Sequence, residues 1–214
     1  MSEVLDLDSA NDLRVEAFAL VTLGRRSEAL AKVHAFVEGI QGRPGASPID
    51  CSHGCSYCCH LPVMLTPAEA DELARFVERS PRRAELTAKI EAGYRLVREL
   101  DAEALTRSRI PCPLLDGPPL KGSCAVYDAR PVACRTFTSG DVSVCRKAYE
   151  SADDDSPHPA RPLDYMTHVM MSAGLAGPER TAFELRTALV ERLRGLEPGT
   201  LAAVELDVGF EPER

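Results

Sequence analysis

Every cysteine of this 214-residue chain falls between positions 51 and 145, and that confinement constrains the fold more than any other feature. Four lie in the run Cys51-Ser-His-Gly-Cys55-Ser-Tyr-Cys58-Cys59, and the others are Cys112, Cys124, Cys134 and Cys145. The 50 residues before this window and the 69 after it contain none. Cysteines used as small core hydrophobes would be scattered among the other apolar residues. Cysteines gathered this way indicate cross-linking chemistry, through either disulfides or thiolates on metal.

The cellular compartment separates those two options. The N-terminus, Met-Ser-Glu-Val-Leu-Asp-Leu-Asp, is acidic and lacks the basic and apolar regions of a secretory signal. No apolar run approaches the roughly 18 residues that cross a bilayer. A cytoplasmic location with no membrane partner is therefore expected. Thiols stay reduced there, so eight cysteines read as metal ligands or redox groups rather than four disulfides. A net charge of -8 and a pI near 5.2 count against nucleic acid as a partner, because phosphate binding needs a basic surface. The expected partner is a metal ion or cluster, and a protein partner stays open.

Thiolate is a soft ligand suited to zinc and to iron–sulfur clusters, each of which takes four. Eight thiols allow two sites, or one site plus reactive or structural thiols. Adjacent side chains diverge, so Cys58 and Cys59 are not expected to serve one ion. The expected division has Cys51, Cys55 and Cys58 as one coordinating arm. Cys59 then links to a second arm of Cys112, Cys124, Cys134 and Cys145. The second half lacks the paired C-x2-C knuckles of zinc ribbons. Three close cysteines plus a distant one are commoner in clusters. The expected cofactor is thus zinc or iron, with a 4Fe-4S cluster among the options. His53 and His60 flank the first run and read as solvent-facing or outer groups before they read as ligands. His34 and His158 read as structural, and His168 as a core or boundary residue.

The chain divides into an N-terminal helical extension and linker (1–50), a cysteine domain (51–150) and a C-terminal helical extension (151–214). Residues 11–40 read as two helices broken at Gly24, the second capped by Ser27, with Leu30, Val33, Val37 and Ile40 inward. A turn-rich linker covers 41–50. Thr66-Pro67-Ala68-Glu69 is a helix start with a capping box, and Ala70, Leu73, Ala74 and Val77 mark its buried face. Ser80-Pro81 opens a further helix facing inward through Leu86, Ile90, Val97 and Leu100. Seven prolines and glycines fall among 111–131, so 108–145 reads as irregular and pinned by metal. After an acidic break at 153–159, one helix is expected near 162–174 with Leu163, Met166 and Met170 inward. Another is expected from Pro178, burying Ala182, Leu185, Leu189 and Leu193, and then an unstructured tail from 197. The fold class is mainly α, with helices packed around an irregular, loop-rich, cysteine-ligated metal core.

Cys51-x3-Cys55-x2-Cys58-Cys59 and the run Pro-Val-Met-Leu-Thr-Pro-Ala-Glu-Ala (62–70) resemble the YkgJ-type cysteine cluster proteins, the CxxCxxCC family. So do Cys112-Pro-Leu-Leu115, Cys124-Ala-Val-Tyr127-Asp-Ala-Arg130-Pro131-Val-Ala-Cys134-Arg135-Thr-Phe137, and Cys145. The resemblance covers about 51–145 and implies a zinc- or iron-chelating domain. A related group, the flagellin lysine methylases, carries a similar cluster in a longer chain and implies iron–sulfur and S-adenosylmethionine chemistry. Cys51-x3-Cys55-x-Tyr57-Cys58 also matches the signature of radical S-adenosylmethionine enzymes, but no barrel-sized run of strands and helices accompanies it. Four thiolates on a 2+ centre leave a charge of about 2−, which is costly to bury. Arg130 and Arg135 flank Cys134 and can offset it, while Tyr127 and Phe137 can cover the site. Three classes of function follow. The first is a metal-binding protein with a structural, sensing or metal-handling role. The second is an iron–sulfur enzyme modifying a protein side chain, and the third a thiol redox protein.

Overall fold

Gly24 sits in the left-handed region at φ +74°, where a glycine costs least, and the first two helices meet there. The computed structural model describes residues 6–41, 48–151, 161–201 and 204–208. Helix α1 (Leu7–Thr22) opens at Asp6, whose carboxylate accepts the Ser9 N–H at 3.2 Å. Helix α2 (Arg26–Gln41) buries Leu30, Val33, Val37 and Ile40, as their spacing predicts. Ser27 does not cap it. Its hydroxyl donates to Glu72 and accepts from Arg75, each at 2.9 Å, and so ties α2 to helix α3 (Pro67–Arg79).

The capping box at the head of α3 forms as predicted, just after the two-residue strand β1 (Met64–Leu65). It also reaches further than the sequence suggests. Buried Glu69 accepts from the Thr66 N–H at 2.9 Å and the Thr66 hydroxyl at 2.8 Å. Its other carboxylate oxygen accepts the Val132 N–H at 2.8 Å. One side chain thus fixes two helix starts. Ala70, Leu73, Ala74 and Val77 are buried, as expected. Helix α4 (Arg83–Val97) buries Leu86, Ile90 and Val97, while Leu100 lies half-buried past its end. The short α5 (Ala102–Arg107) follows.

The 108–145 stretch is more ordered than its prolines and glycines suggest. Strands β2 (Leu115–Asp116) and β3 (Ser123–Cys124) form a hairpin with Leu115 opposite Cys124. A 3-10 turn over 127–129 leads to α6 (Val132–Thr136), and α7 (Val142–Glu150) begins at Asp141, whose side chain accepts the Ser143 N–H at 2.8 Å. These pieces are too short to show a helical period, although Asp141 is a legible N-cap.

The C-terminal third corrects three expectations. Helix α8 (Pro162–Ala176) turns Thr167, Met171 and Leu175 inward; Met166 is exposed and Met170 half-buried. The Leu163 side chain and the whole of 152–160, including His158 and the acidic break, lie outside the described residues, as does 42–47 of the linker. Close approach to α1 selects the face of α8. A Cβ on Gly174 would stand 2.7 Å from the Arg14 carbonyl oxygen and 3.2 Å from the Ala17 Cβ.

Second, residues 181–184 are strand rather than helix. A 3-10 turn at 177–179 and Arg180 at φ +56° stop the helix, and β4 (Thr181–Glu184) then pairs antiparallel with β1, Leu65 opposite Phe183. Helix α9 (Leu185–Leu193) starts only there, with Leu185 and Leu189 buried and Leu193 half-buried. Third, the tail contributes β5 (Glu205–Asp207), the outer strand of a sheet ordered β1-β4-β5.

The protein is mainly α. One buried cluster joins α1, α2 and α8 with Ala68 and Val132. The other joins α3, α4 and α9 with Leu65, Leu114, Val126 and Phe183, and Cys112 and Cys124 pack against it. Among the described residues no helix is long and apolar enough to cross a membrane. Replacing Glu69 by Ala removes a cap and leaves the Val132 N–H unpaired, so Glu69→Ala should lower unfolding free energy by about 2–4 kcal/mol in urea titrations. A loss below about 0.5 kcal/mol, the range of an ordinary surface substitution, would contradict the role given to Glu69.

Candidate metal centre

All eight cysteines line one cavity of about 290 Å³. Cys51 and Cys55 come from the loop before a 3-10 turn (Tyr57–His60) that carries Cys58 and Cys59. Cys112 precedes β2, Cys124 ends β3, Cys134 lies in α6 and Cys145 in α7. None is paired in a disulfide; Cys51 is exposed and the other seven are partly buried.

The first loop is strapped to the start of α7. The Asp50 N–H donates to the Ser139 carbonyl at 2.9 Å, and the Asp50 carboxylate accepts the Val142 N–H at 2.9 Å. Between them the Ser139 N–H points at the Cys51 sulfur, 3.4 Å away. Tyr149 completes the contact, with its ring 5.1 Å from that of His60 and 6.0 Å from that of Tyr57. Arg146 also donates to the Tyr57 hydroxyl at 3.2 Å. Cys145 therefore lies on a helix packed against the turn that carries Cys58 and Cys59.

The remaining thiols are organised from the other side. The Cys112 N–H donates to the Cys59 carbonyl at 2.7 Å. The β2–β3 hairpin is held to the first loop by the Gly122 N–H, which donates to the buried Ser56 hydroxyl at 3.2 Å. Position 122 must be glycine, since a Cβ there would lie 2.4 Å from the Asp116 carbonyl oxygen. Just before Cys112, Arg186 donates to the Ile110 and Pro111 carbonyls at 2.8 and 3.1 Å. Arg186 and its partner Glu184 are almost fully buried, and Glu184 caps α9 through the Arg186 and Thr187 N–H groups.

The thiols shift one another's acidity, and Cys58 acts on Cys55, Cys59, Cys124, Cys134 and Cys145 alike. Burial raises Cys145 first, a Ser139 contact lowers it, and Cys51, Cys55 and Cys58 raise it again. Burial raises Cys55 too, with Cys51 and Cys58 adding to it. Cys134 is raised well above its usual value by burial, then by Cys112, Cys58 and Cys124. Burial pushes Cys112 up to about 11 and also raises Cys124. The Cys59 thiol donates to Cys58, which raises Cys59 and lowers Cys58. The vicinal pair therefore sits at the junction of the two groups.

Arg130 faces this cavity and Arg135 does not. The Arg130 guanidinium stacks 3.7 Å over the Tyr127 ring and favours the thiolate forms of Cys58, Cys124 and Cys134. Arg135 braces the loop instead, donating to the Arg130 carbonyl at 3.0 Å, the Asp128 carbonyl at 2.5 Å and Glu38 at 2.8 Å. Tyr127 and Phe137 line the cavity, as expected.

His53 stands exposed at its rim, whereas His60 is buried against Tyr149 with Nδ1 3.1 Å from the Ser56 carbonyl oxygen. His34 is lowered to about 4, by burial first and then by Arg135 and Arg130. His168 is half-buried on α8, with Nδ1 3.3 Å from the Ser172 hydroxyl. Arg186, Ser139 and Ser56 are missed by sequence reasoning, because no motif spacing links them to the cysteines they serve.

Among the described residues, no three Cys, His, Asp or Glu side chains stand at ready-made metal-binding spacing. The thiols rim a space large enough for on the order of ten waters at ~30 Å³ each. The donor set nonetheless suits zinc or iron: all sulfur, free, partly buried and flanked by guanidinium groups. Residues 50–155 match a family model, CxxCxxCC, described as a "putative zinc- or iron-chelating domain". No curated protein and no solved structure matches the chain.

Removing Arg186 would strand the buried Glu184 carboxylate. Arg186→Met should therefore cost about 3–5 kcal/mol in denaturant titrations, and adding Glu184→Gln should recover part of that loss. A double variant no more stable than the single one would contradict the pairing.

Proposed function

From the premise that residues 50–155 belong to this zinc- or iron-chelating family, we propose that the protein binds metal through all eight cysteines. Cys51, Cys55, Cys58 and Cys145 form one four-thiolate set, and Cys59, Cys112, Cys124 and Cys134 form the other. The observation that carries this reading is the shared cavity, with α7 strapped so that Cys145 joins the first loop. Each set has the four sulfur ligands that tetrahedral zinc or a four-iron cluster takes. The bound group would supply a polarising positive centre and would tie together loops that share little regular structure. Arg130, and Arg186 next to Cys112, offset the charge left by four thiolates on a 2+ centre. Metal binding of this kind serves a structural, sensing or metal-handling role in the cytoplasm.

The iron–sulfur enzyme reading rests on the three-cysteine motif, whose chemistry needs an iron left open. Cys145 beside those three thiols counts against an open position.

Protein purified without oxygen should contain zinc, or iron with inorganic sulfide, and Cys134→Ser should lower that content. Metal-free protein with eight titratable thiols would contradict the proposal. Binding displaces thiol protons, so metal uptake by the apo protein should release acid. Apparent zinc affinity should fall more than tenfold per pH unit from pH 8 to pH 6, as read by competition with a zinc indicator; a pH-independent affinity would count against thiolate ligation.

A further inference from the structure

The two groups of thiols differ at Cys51, which is exposed, and at Cys55, which lines a second groove. Cys51 is the exposed cysteine of the eight, and its sulfur is held by the Ser139 N–H at 3.4 Å. Asp50, an anion, is its chain neighbour. Cys55 also lines a second, open groove of about 780 Å³ beside the cavity, together with His53, Tyr57 and Lys121. No other cysteine lines that groove. The second group is placed differently. Cys112 and Cys124 pack against the α3–α4–α9 core, Arg130 faces Cys124 and Cys134, and buried Arg186 grips the backbone before Cys112.

Resting on the reading of this cavity as a metal site, we infer that the two sets divide the work. The Cys59–Cys112–Cys124–Cys134 set retains its metal, and the Cys51–Cys55–Cys58–Cys145 set is where metal enters and leaves. Metal passes between thiolate sites by ligand exchange, which requires the incoming sulfur to reach the ion. The groove at Cys55 gives that access; its wall carries the Lys121 ammonium and the Asp116 carboxylate, the latter paired with Arg82 and Lys89. In each exchange step one metal–sulfur bond to the incoming thiolate forms and one metal–cysteine bond breaks. The departing cysteine takes up the proton given off by the incoming thiol. The metal stays 2+ and no electrons move. No cysteine of the second set lines that groove, and Cys112 and Cys124 pack against the α3–α4–α9 core.

The test loads apo protein with two equivalents of zinc and follows release to an excess of colorimetric chelator. Two phases of equal amplitude are expected, with rates at least tenfold apart. A small thiol should speed the fast phase alone. Cys51→Ser should remove the fast phase and leave one slowly released zinc, with helical circular dichroism unchanged. Arg130→Gln should speed the slow phase severalfold. Release of both ions in a single phase overturns the division, as does loss of the slow phase in Cys51→Ser. The two-phase measurement on the unaltered protein decides the matter even where a variant fails to fold. Failure of the apo protein to take up zinc overturns the division, and failure to take up either zinc or, without oxygen, iron with sulfide overturns the metal-site reading itself.

Discussion

The strap between Asp50–Cys51 and Ser139–Val142 is the interaction on which the rest of the site depends. Three backbone N–H groups take part: that of Asp50 donates to the Ser139 carbonyl, that of Val142 donates to the Asp50 carboxylate, and that of Ser139 points at the Cys51 sulfur. Without it α7 would be tied to the first cysteine run only through the contacts of Tyr149 and Arg146 with Tyr57 and His60. The aromatic contacts of Tyr149 with His60 and Tyr57 then set how α7 lies on the turn. A short helix that could not hold itself by propensity is held by its neighbours.

Two buried carboxylates do the corresponding work deeper in the molecule. Glu69 joins the heads of α3 and α6 and so places Cys134. Glu184 caps α9 and pairs with Arg186, which in turn fixes the backbone before Cys112. Burying such groups is costly, and the cost is met because every one of these carboxylates accepts several hydrogen bonds. Thiols that must become anionic on binding metal are thus presented by loops whose own polar groups are already satisfied.

Much of the N-terminal half was legible in the sequence, because its signals are local. Gly24 marks the turn between two consecutive helices, and the Thr66–Glu69 box and the Leu30–Val33–Val37–Ile40 stripe each span only a few turns of chain. The eight cysteines that line the cavity stand out in the sequence, whereas the strap that seats α7 joins residues 50 and 142 and leaves no local signal. The C-terminal third was least legible. Its strand β4 forms against β1, more than a hundred positions away, and Thr-Ala-Phe-Glu read alone continues the helical spacing of Leu185 and Leu189. The face of α8 was set by close approach at Gly174, which a hydrophobic period does not register. Arg135 looked like a site cation by sequence proximity to Cys134, yet its donors are taken up by two carbonyls and Glu38.

X-ray absorption at the metal edge tests the central claim most directly, because it counts the atoms bound to each metal. Two four-thiolate sets predict a first shell of sulfur alone, four per metal, at about 2.3 Å where the metal is zinc. With two zinc ions bound, replacing Cys145 by Ser should exchange one of the eight sulfurs for oxygen or nitrogen, about half an atom per metal in the averaged shell. A first shell already containing nitrogen or oxygen in the unaltered protein, or one unchanged by Cys145→Ser, would contradict the account.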